Sequence, residues 1–357
     1  MTQQLRWGIL STGNIARLNW RAIRYSGNSV IAAVASRDAA RCAKFIADGQ
    51  RQAPFETAPA AFAGYEALIA SKEVDAVYIP VPTGLRKEWV LRAAAAGKHV
   101  LCEKPCGLSL ADVREMTAAC KQYRVQFMDG VMFMHNPRQL RLRQILDDAN
   151  AFGPIRRIMS VFSYGNDQAF FDANIRLHSA LEPTGCLGDL GWYCIRFALW
   201  AMRWRLPREV SGTILSTRAN RLSPDAVPSD FSGELIFADG ASLGFYCSFQ
   251  TSFQNWVHVG GAKGWLRLAD FVHPISDHEP AIELNGGLER VKCCDCPSEH
   301  TDSRAPAQDA QMFRHFAQQV AAGKLNGDWP MWSLKTQQVM DACHDSALRG
   351  GRPVSLE

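Results

Sequence analysis

The sequence predicts an α/β protein in which a doubly wound parallel sheet precedes a C-terminal α+β domain with a large, mostly antiparallel, open-faced sheet. Two observations support this fold class. As far as about residue 130, short apolar segments alternate with helical segments, which is typical of parallel sheets with right-handed crossovers. Beyond residue 152, strand segments follow one another with short turns, which is typical of an antiparallel sheet.

The first half contains five apolar segments that fit buried strands, with helical segments between them. These strands are expected at residues 5–10, 30–36, 74–79, 97–102 and 125–128. A helix capped by Ser109 and ending at Tyr123 separates the last two. In sheets of this type, ligands bind at the carboxyl ends of the strands. Residues at those ends are therefore binding candidates, namely Ser11, Ser36, Pro80, Thr83 and Lys104.

The turn after the first strand carries a dinucleotide-binding pattern. Ser11, Gly13 and Ala16 have the spacing of G-x-G-x-x-G/A, with serine in place of the first glycine. Gly13 would let the backbone approach a pyrophosphate, and the helix that follows would offer its N-terminal amides. A glycine-containing turn without a ligand is the alternative. The candidate cofactor residues here are Ser11, Thr12, Gly13, Asn14 and Ile15.

This pattern divides the chain into two domains. We assign residues 1–130 to an N-terminal dinucleotide-binding Rossmann domain and residues 131–357 to a C-terminal α/β domain for substrate binding and dimerisation. The last helices of the chain could pack back on the N-terminal domain.

The end of the second strand indicates which dinucleotide is bound. An acidic residue there would bind the ribose hydroxyls of NAD, but the chain has Ser36 and Arg37. A hydroxyl and a guanidinium suit a 2′-phosphate, and Arg41 follows one turn later. The sequence therefore favours NADP over NAD. A solvated arginine at a strand tip is the alternative.

The second half predicts an antiparallel sheet with one open face. Its strands are expected at residues 155–162, 210–217, 231–237, 241–249, 256–260 and 264–268, and its late helices at 308–322 and 333–348. Apolar residues such as Leu235 and Phe245, with too few helices to cover both faces, predict a homodimer formed through the open face.

Asp189, Tyr193 and Lys104 are the candidate catalytic residues. On a helix, a spacing of four residues places the Asp189 carboxylate and the Tyr193 phenol on one face. A phenol with a pKa of about 10 exchanges protons poorly at neutral pH unless a nearby ammonium stabilises the phenolate. Lys104 is the candidate ammonium. Beside a dinucleotide, such a group would support hydride transfer with Tyr193 as general acid or base.

Composition indicates an ordinary globular protein. The chain has 357 residues, of which 47% are hydrophobic and 21% charged, and a net charge of +4. Basic and acidic residues are interspersed, so we expect no nucleic-acid partner. No apolar run reaches the roughly 18 residues of a membrane span. The first residues enter a strand without a signal peptide, so we expect a cytoplasmic protein.

The eleven cysteines indicate reduced thiols rather than a disulfide framework. Cys42, Cys120, Cys194 and Cys247 all stand in apolar surroundings. The stretch Cys-Cys-Asp-Cys at residues 293–296 could suggest a metal site, but no second cysteine or histidine pair has zinc spacing. His300 is isolated, and we expect no metal.

Three motifs resemble those of the glucose-fructose oxidoreductase, inositol dehydrogenase and rhizopine-catabolism (Gfo/Idh/MocA) family, and the resemblance covers nearly the full length. They are Gly8-Ile-Leu-Ser-Thr-Gly-Asn-Ile-Ala16, Ala96-Gly-Lys-His-Val-Leu-Cys-Glu-Lys-Pro105 and Gly188-Asp-Leu-Gly-Trp-Tyr193. The chain is most similar to the branch with glucose-fructose oxidoreductase, aldose-aldose oxidoreductase and dimeric dihydrodiol dehydrogenase. In that branch a tyrosine replaces the histidine of inositol dehydrogenases at the position of Tyr193.

The resemblance implies roles for individual residues. Lys104 and Tyr193 would be catalytic, and Asp189 would orient the substrate. The peptide bond before Pro105 would be cis. The chain departs from the family at Thr83 and Arg86, where asparagine and histidine are frequent, and the consequence of Arg86 is left open. Cofactor-lining residues would be Ser11 to Ile15, Ser36, Arg37, Pro80, Pro82, Thr83, Glu103 and Lys104.

Three further candidates lie after the domain boundary and before the segment that contains Asp189 and Tyr193. Asn136 and Arg138 follow a strand and could reach the nicotinamide or the substrate, but Asn-Pro-Arg is also a reasonable helix start. Arg176 could hold the nicotinamide region or a substrate hydroxyl, because similar enzymes keep a basic residue there; an ordinary surface loop is the alternative.

These residues predict an NADP-dependent oxidoreductase that acts on a sugar, such as an aldose or pyranose, or on a related polyol. A trans-dihydrodiol-type dehydrogenase acting on a non-sugar diol is one alternative, since it shares the same residues. A non-catalytic dinucleotide-sensing regulator is another, although a sensor needs no proton relay such as Lys104, Asp189 and Tyr193.

Overall fold

The computed structural model describes residues 4–276, 279–292 and 307–356. The described residues form two compact units. The first contains those of Met1–Cys106, Ala111–Asn136 and Cys294–Ser333, and the second those of Gly107–Leu110, Pro137–Cys293 and Leu334–Glu357.

The first unit contains a six-stranded parallel sheet. Its strands are β1 (Leu5–Leu10), β2 (Ser29–Ser36), β3 (Ala60–Ala63), β4 (Ala76–Ile79), β5 (His99–Cys102) and β6 (Phe127–Asp129). The order is β3-β2-β1-β4-β5-β6 and every pairing is parallel. This order reverses between β1 and β4, which opens a crevice at the carboxyl edge of the sheet. The predicted doubly wound fold is confirmed.

Ten α-helices belong to the described parts of the chain. They are α1 (Asn14–Tyr25), α2 (Ala39–Gln52), α3 (Tyr65–Ala70), α4 (Thr83–Ala95), α5 (Leu110–Gln122), α6 (Arg138–Asp147), α7 (Gln168–Ala173), α8 (Trp192–Ala201), α9 (Ala307–Ala321) and α10 (Asp328–Leu348).

Aromatic side chains pack the helices of the first unit against its parallel sheet and against one another. Trp7 on β1 meets Phe313 of α9 edge-on at 5.1 Å between ring centroids and Phe316 at 5.0 Å. Trp20 on α1 packs edge-on against Phe45 of α2 at 5.8 Å. Because helices cover both faces, most strand residues are buried on both sides, as in β1, where Arg6 alone is partly exposed.

The second unit contains a nine-stranded sheet. Its strands are β7 (Ile155–Ser163), β8 (Glu209–Arg218), β9 (Val227–Ile236), β10 (Ser242–Ser248), β11 (Gln254–Gly261), β12 (Trp265–Leu268), β13 (Ala281–Leu284), β14 (Gly287–Arg290) and β15 (Val354–Ser355). The order is β14-β13-β12-β11-β7-β10-β9-β8-β15. Among these strands, β7 and β10 pair in parallel and the other pairings are antiparallel. The mostly antiparallel second sheet is confirmed.

The strand register shows which residues share the face of this sheet that lies away from the helices. Val161 on β7 pairs with Tyr246 on β10 and with Trp256 on β11, so these three share that face. Our expectation that Leu235 and Phe245 lie on the open face of the sheet is wrong. They are 0% and 3% exposed because they alternate with the open-face residues and point towards the helical layer.

Asp189 lies on a π-helical turn, Leu187–Gly191, that continues into α8 at Trp192. The Trp192 N–H donates to the Leu187 carbonyl, five residues back. A π-turn widens the helix, so Asp189 and Tyr193 are not joined by the regular α-helix that the sequence predicted.

Two glycines let this turn approach the antiparallel sheet. Gly185 has a φ of +46°, and a Cβ there would lie 2.1 Å from the Pro228 carbonyl oxygen. A Cβ on Gly191 would lie 2.9 Å from Leu187 and 3.3 Å from the Cys247 sulfur. A side chain at Gly185 would therefore clash with the backbone of the sheet, whereas Gly191 packs against the Leu187 and Cys247 side chains.

The cysteine prediction is confirmed for Cys42, Cys120, Cys194 and Cys247, which are free and buried. No helix within the described ranges has both the length and the apolar character needed to cross a membrane. The same residues contain no cluster of three His, Cys, Asp or Glu side chains suited to a metal ion. The Cys-Cys-Asp-Cys stretch at 293–296 and His300 lie outside the described residues.

Candidate active site

The loop after β1 presents backbone amides at the carboxyl edge of the parallel sheet. The Ser11 hydroxyl accepts a hydrogen bond from the Gly13 N–H at 3.1 Å. Helix α1 begins directly afterwards, and no described side chain caps it. Gly13, Asn14 and Ile15 are exposed, and Thr12 is half-buried. These amides and the helix dipole fit the pyrophosphate of a dinucleotide.

The end of β2 presents two exposed arginines. Ser36 is buried, and its hydroxyl accepts from the Asp38 N–H at 3.3 Å. Asp38, the first acid after the strand, caps α2 by accepting from the amides of Ala40 and Arg41. Burial raises the pKa of Tyr65, and the Arg37 charge partly offsets that rise. Arg37 and Arg41 are exposed, so their guanidinium groups are accessible to a phosphate.

Arg86 joins the segment after β4 to the segment after β5. It is 3% exposed and lies on the first turn of α4. Its Nε donates to the Val81 carbonyl at 2.8 Å, and its Nη1 donates to the Thr83 hydroxyl at 2.8 Å and to the Pro105 carbonyl. None of the described carboxylates pairs with it. The sequence left its consequence open, and the structure shows a clamp between two loops.

A buried hydrogen-bonded chain fixes Glu103, which precedes Lys104. The Tyr78 hydroxyl donates to Glu103 Oε1 at 2.5 Å and accepts from the Asn19 amide at 2.5 Å. Burial and the Glu103 charge raise the pKa of Tyr78, so its hydroxyl stays protonated. Glu103 Oε2 accepts from the Lys104 N–H at 3.3 Å. Glu103 therefore fixes the backbone that carries Lys104.

Lys104 and its neighbours occupy the position that the sequence predicts. Lys104 and Thr83 are 6% and 3% exposed, and Pro80 is also buried, whereas Pro82 is half-buried at the start of α4. The Lys104–Pro105 bond is cis, as the resemblance implies. These residues follow β4 and β5, which are neighbours in the sheet. The first unit thus gathers them along one edge of the sheet.

Asn136 and Arg138 have separate surroundings. Asn136 is buried, and its amide donates to the Gln308 side chain at 3.2 Å in the first unit. Arg138 belongs to the second unit, is 0% exposed, and forms a buried ion pair with Asp270 at 2.6 Å. Because this ion pair engages its guanidinium in the core, Arg138 is a structural residue and the suggestion that it reaches a ligand is wrong.

In the second unit, two side chains hold the Asp189 carboxylate. The Tyr164 hydroxyl donates to Oδ2 at 3.0 Å, and Arg176 Nη2 lies 3.2 Å from Oδ1. Arg176 also pairs with Glu182 at 3.4 Å. Burial raises the pKa of Tyr164, and the Asp189 charge raises it further against a smaller opposing effect of Arg176. Tyr164 therefore remains a protonated donor to Asp189.

Tyr193 lies against the end of β7. It is 6% exposed, and its ring meets Phe162 edge-on at 5.4 Å between centroids. Phe162 also packs against Phe271 at 6.5 Å and His273 at 5.8 Å. These aromatic contacts hold the Tyr193 ring against the end of β7.

Sequence reasoning missed Tyr164, Glu182 and Tyr78. Tyr164 follows the end of β7 directly, and such positions carry ligand-binding residues in sheets, which was the available signal. Glu182 pairs with Arg176 across an irregular loop, and Tyr78 bonds to Glu103, which follows the next strand. No sequence pattern marks such pairs.

Two family profiles match this chain. The profile described as "Oxidoreductase family, NAD-binding Rossmann fold" matches residues 5–131, and the one described as "GFO/IDH/MocA C-terminal domain" matches residues 140–267. The chain belongs to the Gfo/Idh/MocA oxidoreductase family. It is therefore an oxidoreductase with an NAD(P)-binding Rossmann domain, and the resemblance identified from the three motifs is confirmed.

Relatives in the Gfo/Idh/MocA family cover most of the chain. D-xylose 1-dehydrogenase (NADP(+)) 2 of Haloferax volcanii is 31% identical over 97% of this chain and 98% of that protein. The trans-1,2-dihydrobenzene-1,2-diol dehydrogenase of Bos taurus is 30% identical over 74% of each. The solved structure of aldose-aldose oxidoreductase from Caulobacter crescentus complexed with glycerol has a TM-score of 0.80, with 25% identity over 99% of this chain and 100% of that one.

Removing the Arg86 clamp is expected to destabilise the first unit. In Arg86→Ala, the Val81 and Pro105 carbonyls lose their donor, and each unsatisfied buried group costs about 1–3 kcal/mol. We expect the free energy of unfolding in urea to fall by at least about 2 kcal/mol. Arg92→Ala on the same helix is the matched control, because its exposed ion pairs are worth about 1 kcal/mol at most. Equal losses in both variants would contradict the clamp.

Proposed function

We propose that this protein is an NADP-dependent oxidoreductase that transfers hydride between nicotinamide and a sugar, such as an aldose or pyranose, or a related polyol. One observation carries the proposal: Lys104, Asp189 and Tyr193 are only 6%, 5% and 6% exposed. Proteins rarely bury lysine and aspartate unless these groups have a defined task. In an oxidoreductase, buried groups of these types supply proton transfer and substrate orientation.

Each of the three residues has its own role in the proposed reaction. When bound, the nicotinamide ring supplies or accepts the hydride. Tyr193 gives a proton to the reacting substrate oxygen or removes one, as general acid or base. Lys104 stabilises the phenolate and binds the same oxygen, because an ammonium lowers a neighbouring phenol pKa. Asp189 accepts a hydrogen bond from a substrate hydroxyl and is kept in place by Tyr164 and Arg176.

We propose that the loop after β1 holds the cofactor pyrophosphate and that the exposed arginines after β2 hold the 2′-phosphate of NADP. The engagement of Asp38 with α2 supports this choice, since its carboxylate accepts from two helix amides. The proposed cofactor residues are Ser11, Thr12, Gly13, Asn14, Ile15, Ser36, Arg37, Arg41, Pro80, Pro82, Thr83, Glu103, Lys104, Asn136 and Arg176.

A dehydrogenase for a non-sugar diol is the second candidate function. The 30% identity to the bovine dihydrobenzenediol dehydrogenase supports it. Turnover of trans-dihydrodiols with no turnover of any aldose would favour it over the sugar enzyme. The regulator without catalysis has less support, because the chain belongs to an oxidoreductase family.

We further propose that the second unit forms a homodimer through the open face of its sheet. This face carries Val161, Tyr246 and Trp256 in one row, all half-buried, beside Met159, which is 39% exposed. Aromatic and methionine side chains are enriched at the centre of protein interfaces. A second copy would cover them and satisfy the symmetry of an isologous dimer.

The Tyr193→Phe variant tests the proposed acid-base role. We expect kcat on a good sugar substrate to fall by about 10² to 10⁴, the usual contribution of general acid-base catalysis. NADP affinity should stay near the wild-type value, because the ring and its packing on Phe162 are retained. Lys104→Ala should reduce kcat at least as much and also weaken NADP binding.

Tyr123→Phe is the matched control, since that tyrosine is 46% exposed. It should turn over like the wild type. A wild-type kcat in Tyr193→Phe, with a deuterium isotope effect showing that hydride transfer limits the rate, would contradict the assignment.

The Arg37→Ala variant tests the cofactor preference. Loss of one charged hydrogen bond to the 2′-phosphate should weaken NADP binding by about 1 to 3 kcal/mol and leave NAD binding nearly unchanged. Calorimetric titration of both cofactors measures this difference. The matched control is Arg51→Ala, at an exposed arginine near the end of α2, the helix that follows Arg37; it should alter neither affinity. Equal losses for NADP and NAD in Arg37→Ala would mean that Arg37 is structural.

The mass of the protein in solution tests the proposed dimer. Light scattering at micromolar concentration should give twice the chain mass of 39.6 kDa. Trp256→Glu places a charge in the proposed interface and should shift the mass towards one chain. Leu348→Glu, at a 66% exposed position at the end of α10, should remain dimeric. A single-chain mass for the wild type would exclude the dimer.

A further inference from the structure

A cavity of about 440 Å³ lies in the second unit between the loop after β7 and the loop after β8. Its volume falls within the range of about 300–1,000 Å³ that is usual for small-molecule pockets. One wall belongs to the segment around α7, and the other to the end of β8. The residues that matter for its chemistry are Asn166, Phe171, Asp172, Arg218, Asn220 and Arg221.

The lining of this cavity carries more positive than negative charge. Arg218 lies over the Phe171 ring at 5.7 Å and donates to the neutral Gln250 amide at 2.8 Å. Arg221 is exposed. Across the described parts of the chain, no carboxylate pairs with either arginine. The one acid in the lining, Asp172, accepts from Gln168 at 2.8 Å. Two arginines thus face the cavity against one carboxylate.

The same loop connects the cavity to the catalytic carboxylate. The Asn166 amide donates to the Tyr164 carbonyl at 2.9 Å, and the Tyr164 hydroxyl donates to Asp189. On the other wall, the Asn220 amide donates to the Asn174 carbonyl at 2.7 Å, and the Asn174 side chain accepts from the Arg176 N–H at 3.0 Å. The cavity and the Asp189 site are therefore built on one hydrogen-bonded segment.

We propose that this cavity binds the phosphate of a phosphate-bearing sugar, either a sugar phosphate or a nucleoside-diphosphate sugar. Guanidinium groups without acidic partners match the oxygens of a phosphate by paired, charge-assisted hydrogen bonds. The segment that lines the cavity also carries Tyr164 and Arg176, which hold the Asp189 carboxylate, so we assign the phosphate and the reacting carbinol to one substrate. The inference rests on the proposed function and deepens it, since it names the substrate class.

Paired substrates test the inference and separate the two sources of phosphate. Initial rates with NADP are measured for D-glucose, D-glucose 6-phosphate, UDP-glucose and dTDP-glucose. We expect kcat/KM for at least one phosphate-bearing sugar to exceed that for glucose by about tenfold or more, the scale of one charged hydrogen bond. The preferred arm identifies a sugar phosphate or a nucleoside-diphosphate sugar. No preference for either arm would overturn the inference.

Variants show whether the preference depends on this cavity. The double variant Arg218→Gln/Arg221→Gln should lower the ratio of phosphate-bearing to neutral kcat/KM by about tenfold or more. Arg208→Gln is the matched control, because Arg208 is exposed and lies next to the other end of the same strand β8. It should leave the ratio at the wild-type value. An unchanged ratio in the double variant would overturn the inference.

A binding measurement keeps the inference independent of turnover. Inorganic pyrophosphate is titrated calorimetrically into NADP-saturated wild-type protein, so that the cofactor blocks its own phosphate sites. We expect binding that the double variant weakens by about tenfold and Arg208→Gln retains. If no sugar is turned over but pyrophosphate binding depends on Arg218 and Arg221, the hydride-transfer proposal fails and the anion site stands. Absence of pyrophosphate binding to the wild type would overturn the site.

Discussion

The candidate site in the second unit depends on how one of its buried carboxylates, Asp189, is held. Burying a charge costs several kcal/mol unless it is paired and hydrogen-bonded, so Asp189 requires both the Arg176 guanidinium and the Tyr164 hydroxyl. This requirement connects distant segments: the residue after β7, the loop after α7 and the π-turn must meet at one point. Gly185 makes this arrangement possible, because the chain there approaches the Pro228 carbonyl too closely for a side chain.

The first unit meets the same constraint in a different way. One of its buried carboxylates, Glu103, accepts from the Tyr78 phenol and the Lys104 backbone N–H. Its buried guanidinium, Arg86, is satisfied by two carbonyls and a hydroxyl. The two networks lie on either side of the Lys104–Pro105 bond. Burial of polar groups that are fully satisfied fixes a unique geometry, which suits a residue that must place an ammonium accurately.

Periodicity was enough to predict both sheets and to place Ser11, Ser36 and Lys104 at or just after the carboxyl ends of strands, because these features depend on local pattern. The prediction of which residues lie on the open face was wrong, because a run of apolar strand residues does not show which alternate residues face the helices. Leu235 and Phe245 are buried on the helical side of the sheet. The π-turn and the partners of Asp189 and Glu103 were not predictable, since they depend on contacts between segments far apart in sequence. The suggestion that Arg138 reaches a ligand failed for the same reason, because its partner Asp270 lies 132 residues away in sequence.

The central claim is that this protein moves hydride directly between a sugar carbon and the cofactor. Purified protein is incubated with NADP and a panel of sugars and phosphate-bearing sugars deuterated at the ring carbons, and the reduced cofactor is examined by mass spectrometry. Direct transfer predicts that NADPH formed from at least one substrate carries one deuterium. Formation of NADPH without deuterium, or a cofactor that stays oxidised with every substrate in the panel, would contradict the claim.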